Sequence, residues 1–151
     1  MNRGTYCLVM KLEHGRSIKI GARPTIWFPK GYYCYVGSAM NSLSGRIKRH
    51  LSDQKRLHWH IDWFLKHARV TEVKKIECER RLECALSQEI APLSEKTIMK
   101  GFGSSDCACE THLFYFKRNP EPDLDRLIKK MAEAVKDLEK ASLQCKKISI
   151  G

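Results

Sequence analysis

Tyr6 closes the tripeptide Gly4-Thr5-Tyr6 and Tyr35 opens Tyr35-Val36-Gly37, with Arg46 and His50 following four residues apart. Phenol, guanidinium and imidazole groups gathered on two strands and a helix could cleave a phosphodiester, provided a metal held by a carboxylate joins them. Such hydrolysis needs a deprotonated water and stabilisation of the charge that builds on the phosphate oxygens. Arginine suits the phosphate because its planar fork donates two hydrogen bonds and stays charged. A phenol ionises near pH ~10, so it acts as a base only where a metal or cationic neighbours stabilise its anion.

These residues need elements to position them. Apolar and β-branched residues over 5–12 predict a strand that breaks at His14-Gly15 and returns over 17–20. A short strand over 25–28 precedes the turn Pro29-Lys30-Gly31, and the aromatic run 32–36 predicts another strand, so the expected sheet is mainly antiparallel. Alternation puts Tyr6 on one face with Leu8 and Met10, and Tyr35 with Tyr33 and Gly37. Leu43, Ile47 and Leu51 recur every four residues behind Ser42 or Ser44 as N-cap, which predicts an amphipathic helix. Arg46 and His50 lie on one side of it, at the margin of the apolar stripe.

Further on, a helix over 58–68 and a strand over 70–76 are expected, and Leu82, Leu86 and Ile90 restore helical spacing until Pro92. Residues 100–110 form a glycine- and serine-rich loop, and 113–116 a last buried strand. Beyond Pro120 and Pro122, a helix carries Leu124, Leu127, Ile128, Met131, Val135 and Leu138 on one face. Strands and helices mix without βαβ regularity, so the fold class is α+β. A chain of 151 residues suits one core, here a domain over 1–119 with the helix 120–151 packed on it.

Lysine and arginine number 28 against 17 acidic residues, a formal charge of +11 and a pI near 9.4, which favours an anionic partner such as nucleic acid. No run approaches the ~18 apolar residues of a membrane span, and no charged leader with an apolar core opens the chain, so a cytoplasmic protein is expected. The seven cysteines are odd in number and scattered, which reads as reduced thiols used as small hydrophobes.

The two tripeptides, with Tyr35-Val36-Gly37-Ser38-Ala39 leading to Arg46 and His50, resemble the GIY-YIG nuclease superfamily over roughly residues 4–117. The chain is most similar to a largely archaeal, poorly characterised branch whose signatures read here as His58-Trp59-His60-Ile61-Asp62 and Gly103-Ser104-Ser105-Asp106-Cys107. The resemblance implies that Tyr6 helps activate the attacking water and that Tyr35 shares in positioning it or the phosphate. Arg46 would bind the scissile phosphate and His50 would hydrogen-bond in the same pocket. It also implies a glutamate on a later helix that holds Mg²⁺ or Mn²⁺, with Glu83 the best match and Glu79 and Glu89 the rivals. The superfamily's tripeptides usually stand closer together, and the extra length here reads as an inserted hairpin over 11–29. Its late asparagine has no counterpart, because Asn119 is the only asparagine after Glu83; Ser105 and Asp106 are the candidates to stand in for it.

His58, His60 and Asp62 are candidates to support the site from behind, and with Cys107, Cys109 and His112 they also raise the question of zinc. Structural zinc pairs usually enclose two to four residues, and neither the His58/His60 pair nor the Cys107/Cys109 pair does, so the spacing of these pairs argues against zinc. Lys48, Arg49, Lys55, Arg56, Lys74, Lys75, Arg80 and Arg81 flank these elements and suit a phosphate backbone. The expected protein is therefore a Mg²⁺-dependent DNA endonuclease, structure-selective and acting in repair or processing. The alternatives are a non-catalytic nucleic-acid-binding module on the same fold and a zinc-stabilised interaction protein.

Overall fold

Alternating side chains and a high content of β-branched and aromatic residues give β1 (Gly4–Leu12) and β4 (Gly31–Ala39) their extended form. In the computed structural model, which describes residues 1–150, these two are the central pair of a four-stranded antiparallel sheet. Its order is β5-β1-β4-β6, with β5 spanning Arg69–Glu77 and β6 Leu113–Phe116. The inserted segment after β1 forms a separate two-stranded sheet, β2 (Arg16–Ile18) against β3 (Ile26–Phe28). The class is α+β.

Each face of the sheet buries its own core. Tyr6, Leu8, Met10, Tyr33 and Tyr35 share one face with Phe28, Phe64 and Phe102, under α1 (Leu43–Leu51), α2 (His60–Phe64) and the β2–β3 hairpin. Cys7, Val9, Cys34 and Val36 share the other, covered by α3 (Glu83–Ile90) and the first turns of α4 (Glu121–Ile150). Leu124 and Ile128 anchor α4 to that core, whereas Leu138 is 57% exposed, so the helix outruns the surface it covers. Lys74 on β5, which also pairs with Glu72 on its own strand, secures the start of α4 through Glu121 and Asp125.

Three details depart from the sequence reading. Cys7 and Cys34 form a disulfide across β1 and β4, so these two are not reduced thiols. They can meet because Val9 lies opposite Cys34 and Cys7 opposite Val36, which puts both sulfurs on one face at diagonal positions of neighbouring strands. In α1 the buried residues are Leu43 and His50, while Leu51 is 53% exposed. The helix is turned so that His50 faces the sheet in place of Leu51. The expected helix over 58–68 is shorter, because backbone turns from Phe64 to His67 and Ala68 close it.

Candidate active site

The register of the central strands sets the position of the phenols. Tyr6 pairs with Gly37 and Leu8 with Tyr35, so the two tyrosines sit diagonally on one face with ring centroids 6.4 Å apart. A Cβ on Gly37 would stand 2.5 Å from the Tyr6 hydroxyl oxygen and 2.6 Å from its Cζ. Glycine is thus what lets the Tyr6 ring lie across β4. Gly4 solves the same problem on the other side, since a Cβ there would stand 2.1 Å from the Ile76 carbonyl oxygen. Gly37→Ala should therefore push the Tyr6 ring from its seat and cost about 1–3 kcal/mol by overpacking. Urea unfolding measures that, and an unchanged midpoint would mean the ring is not wedged there.

Arg46 and His50 project from α1 toward those phenols. The helix starts at Ser42, whose hydroxyl accepts from the Gly45 amide, and Asn2 ties this corner to the chain start by accepting from the Ser44 amide. The Tyr6 hydroxyl and His50 Nε2 are 2.7 Å apart. Either can donate, but once the phenol loses its proton only Nε2–H can, so this pair can stabilise a phenolate. Burial pushes the Tyr6 hydroxyl up to about 12, against the charge and hydrogen bond of Arg46, with Glu83 and Asp62 adding to the rise. Burial also raises Tyr35, helped by Tyr6 and Glu83. His50 is pushed down to about 4 by burial, the Asp62 charge opposing, and is neutral at physiological pH.

Trp59 is a platform between two guanidinium groups, with Arg46 and Arg49 each 4.3 Å from its ring centroid. Arg49 is fixed from behind by Asp62, whose two carboxylate oxygens accept from it at 3.0 Å each. Asp62 also accepts from the backbone amides of His58 and Trp59, which opens α2. The fully buried Asp62 thus orders the stack that holds Arg46.

Glu83 arrives from the opposite face of the sheet. It is the first residue of α3, and the Thr5 hydroxyl accepts from the Leu82 amide while lying 3.0 Å from the Ser38 hydroxyl. The middle residue of the first tripeptide thereby seats the start of α3. Tyr6, Tyr35, Arg46 and Glu83 all line one open cleft of about 360 Å³, with Arg81, Asp106, Cys107 and His112 along its wall. It opens where β4 runs beyond its partner β6, whose ladder stops at Tyr35 and Leu113. A larger hollow of about 680 Å³ lies between α1, α2 and β5, but neither tyrosine nor Glu83 reaches it.

A family profile described as "Domain of unknown function DUF123" matches residues 5–136. The chain belongs to this family. No curated protein and no solved structure matches it. The DUF123 match spans Thr5 and Tyr6 of the first tripeptide, all of the second, the cleft and the anchored part of α4.

Within this DUF123 domain the other candidate residues divide. Glu79 pairs with exposed Arg3 and Glu89 is exposed on α3, and neither lines the cleft. Asp106 lines it; Ser105 does not. Asn119 accepts from the Glu121 amide and serves α4 instead. His60 accepts from the Gly103 amide and so holds the loop that carries Asp106, while His58 is exposed against Trp59. Several basic residues have structural partners. Lys55 donates to the His50 carbonyl at the end of α1, Arg49 serves Asp62, Lys75 pairs with Glu77, and Lys74 is 7% exposed among its carboxylates. Lys74 is therefore no part of a free basic surface, because those ion pairs consume it. Lys48, Arg56, Arg80 and Arg81 are exposed and without ion pairs among the described residues. Sequence reasoning had singled out Arg81 for the phosphate backbone but neither Thr5 nor Trp59 for the site; the cross-strand register and the Arg46/Arg49 spacing around one tryptophan are the signals that point to those two.

Proposed function

We propose that the cleft hydrolyses phosphodiester bonds in nucleic acid, as a metal-dependent DNA endonuclease of GIY-YIG type that selects DNA structure over sequence and works in repair or processing in the cytoplasm. The convergence of Tyr6, Tyr35, Arg46 and Glu83 on one open surface carries this reading. In it Arg46, held against Trp59, binds the scissile phosphate. Tyr6 Oη, as the phenolate that His50 Nε2–H stabilises, takes the proton from the attacking water and becomes the phenol. Tyr35 bounds the water's position from the side.

The donor set fits Mg²⁺ or Mn²⁺. Glu83 and Asp106 offer carboxylate oxygens in one solvent-open cleft, and Mg²⁺ is commonly held by one or two carboxylates while keeping several waters. When bound there, the ion would supply Lewis-acid stabilisation of the phosphate and lower the pKa of a coordinated water. With Tyr6 near 12, the fraction of phenolate grows about tenfold per pH unit through neutrality, so the cleavage rate should rise with pH over the range in which the fold is stable. A rate that levels off below neutrality would remove Tyr6 as the base.

The second reading, a nucleic-acid-binding module without catalysis, is favoured by one observation: the cleft has no asparagine beyond Asn41, and Asn119 serves a helix cap. A panel of nicked, flapped, branched and linear DNA and RNA, each incubated with Mg²⁺ and with chelator, separates the two. Metal-dependent scission of one substrate class supports the nuclease; binding without scission by any member supports the module.

A further inference from the structure

Residues 100–112 carry no regular strand or helix, yet their path is fixed. The Gly101 amide donates to the Glu110 carbonyl, His112 to Phe102 and Cys107 to Ser104. This loop brings Cys107, Cys109 and His112 beside Cys84, which lies on α3 immediately after Glu83. One ligand atom from each of the four residues falls within 4.8 Å of every other, and Cys107 Sγ is 3.2 Å from His112 Nε2.

We propose that Cys84, Cys107, Cys109 and His112 bind one zinc ion in a closed tetrahedral site. A tetrahedral ion with sulfur ~2.3 Å and nitrogen ~2.0 Å away spaces its ligand atoms about 3.5–3.8 Å apart, within the observed span. One ion fits; a multi-iron cluster needs its ligands farther apart. Three thiolates with one imidazole are soft and borderline donors, which suit zinc and not magnesium.

The surroundings support a ligand role for each side chain. His112 Nδ1 lies 2.6 Å from the hydroxyl of Ser87, which is buried one helical turn after Cys84. A proton on Nδ1 donated to that hydroxyl leaves the Nε2 lone pair facing the sulfurs, the outer-shell arrangement that metal-bound histidine usually has. Binding the cation would release the thiol protons. The site is reachable, since a hollow of about 350 Å³ lined by Cys84, Ser87 and Cys109 opens on its outer side.

Four protein ligands leave no open position, so this zinc is structural. It pins the loop bearing Asp106 to the helix bearing Glu83, across the wall that Cys107 and His112 form in the cleft. The histidines of 58–62 are not needed beside Cys107, Cys109 and His112, because the fold supplies Cys84 as the fourth ligand, which no local spacing marks.

The test is metal content and competition on the purified full chain. One zinc per chain should be found by mass-spectrometric analysis, released as the thiols are titrated with a mercurial. Co²⁺ in its place should give the intense visible bands and thiolate charge-transfer absorption of a tetrahedral sulfur-rich site. Ser87→Ala keeps all four ligands, and should weaken zinc binding about tenfold to a hundredfold in competition with a chromophoric chelator. Cys109→Ser should lower it further or leave the protein unfolded, which is why the serine-to-alanine variant is the decisive one. A metal-free protein whose three thiols react at once with a disulfide reagent, a Co²⁺ adduct without thiolate bands, or full zinc affinity in Ser87→Ala would each overturn the proposal. None of these readouts depends on nuclease activity.

Discussion

Tyr6→Phe and Glu83→Gln should each lower Mg²⁺-dependent cleavage by about a hundredfold or more, while DNA affinity stays within a few-fold. The two substitutions remove a proton acceptor and a metal-binding charge, and neither residue belongs to the exposed basic surface of Lys48, Arg56, Arg80 and Arg81. Phenylalanine fills the space of Tyr6 and keeps its stacking, so what it deletes is the 2.7 Å contact with His50 and the ionisable oxygen. Glutamine is nearly isosteric with glutamate and leaves the start of α3 where Thr5 holds it. Arg46→Ala should reduce both binding and rate, because the guanidinium meets the phosphate in the ground state and in the transition state. Cleavage by Tyr6→Phe within a few-fold of wild type would end its role as base.

Asp62→Ala should lower stability by about 3 kcal/mol, at the low end for breaking a buried ion pair because Arg49 keeps some access to water. For a chain of this length that amounts to a drop in Tm of roughly 10 °C. The carboxylate accepts four hydrogen bonds, two from Arg49 and two from backbone amides, and alanine leaves all four donors without it. Although burial alone would raise the Asp62 carboxyl, the Arg49 and backbone hydrogen bonds and the Arg49 charge hold it below its ordinary value. A depressed carboxyl contributes stability above its unfolded pKa and loses it as pH falls toward the folded one. His50 acts in the same direction. Its folded value near 4 lies under the ordinary 6.5, so the unfolded chain binds a proton first and stability declines between those two values. Thermal unfolding by circular dichroism should thus show a Tm that falls in acid from about pH 6.5 downward, with Asp62→Ala flattening the lower part of the fall. A Tm shift of only a degree or two at neutral pH would mean that Asp62 does not order the Trp59 stack.

Much of this architecture is legible along the chain because its signals are local. Alternation and aromatic content mark β1, β4 and β6, and Pro120 and Pro122, just before and just inside the first turn of α4, mark its start. What was not legible depends on where elements pack. The repeat Leu43, Ile47, Leu51 describes an apolar stripe, but the partners of α1 are the Tyr6 and Tyr35 rings, so the helix turns His50 inward and leaves Leu51 to solvent. A run of positive charge suggests a free basic face, yet Lys74 is spent on Glu121 and Asp125 at the start of α4, the latter 51 positions away. The Cys7–Cys34 disulfide needs the β1–β4 register, and the Cys84 contact with the 100–112 loop needs the placement of α3; neither follows a spacing rule. The candidate site was readable as a set of residue types, whereas its supports, Thr5 under α3 and Trp59 between two arginines, follow only from the folded chain.

The central claim is that the Tyr6 and Glu83 cleft cuts the nucleic acid it binds. It is tested most directly by forming the complex with branched DNA in Ca²⁺, a cation that satisfies oxygen ligands with less demanding geometry than Mg²⁺, and then exchanging into Mg²⁺ while strand scission is followed in a single turnover. The account predicts that the bound DNA is cut on addition of Mg²⁺ and that chelator stops the reaction. A saturated complex that persists uncut in Mg²⁺ and in Mn²⁺ would contradict it and leave a binding module on the same fold.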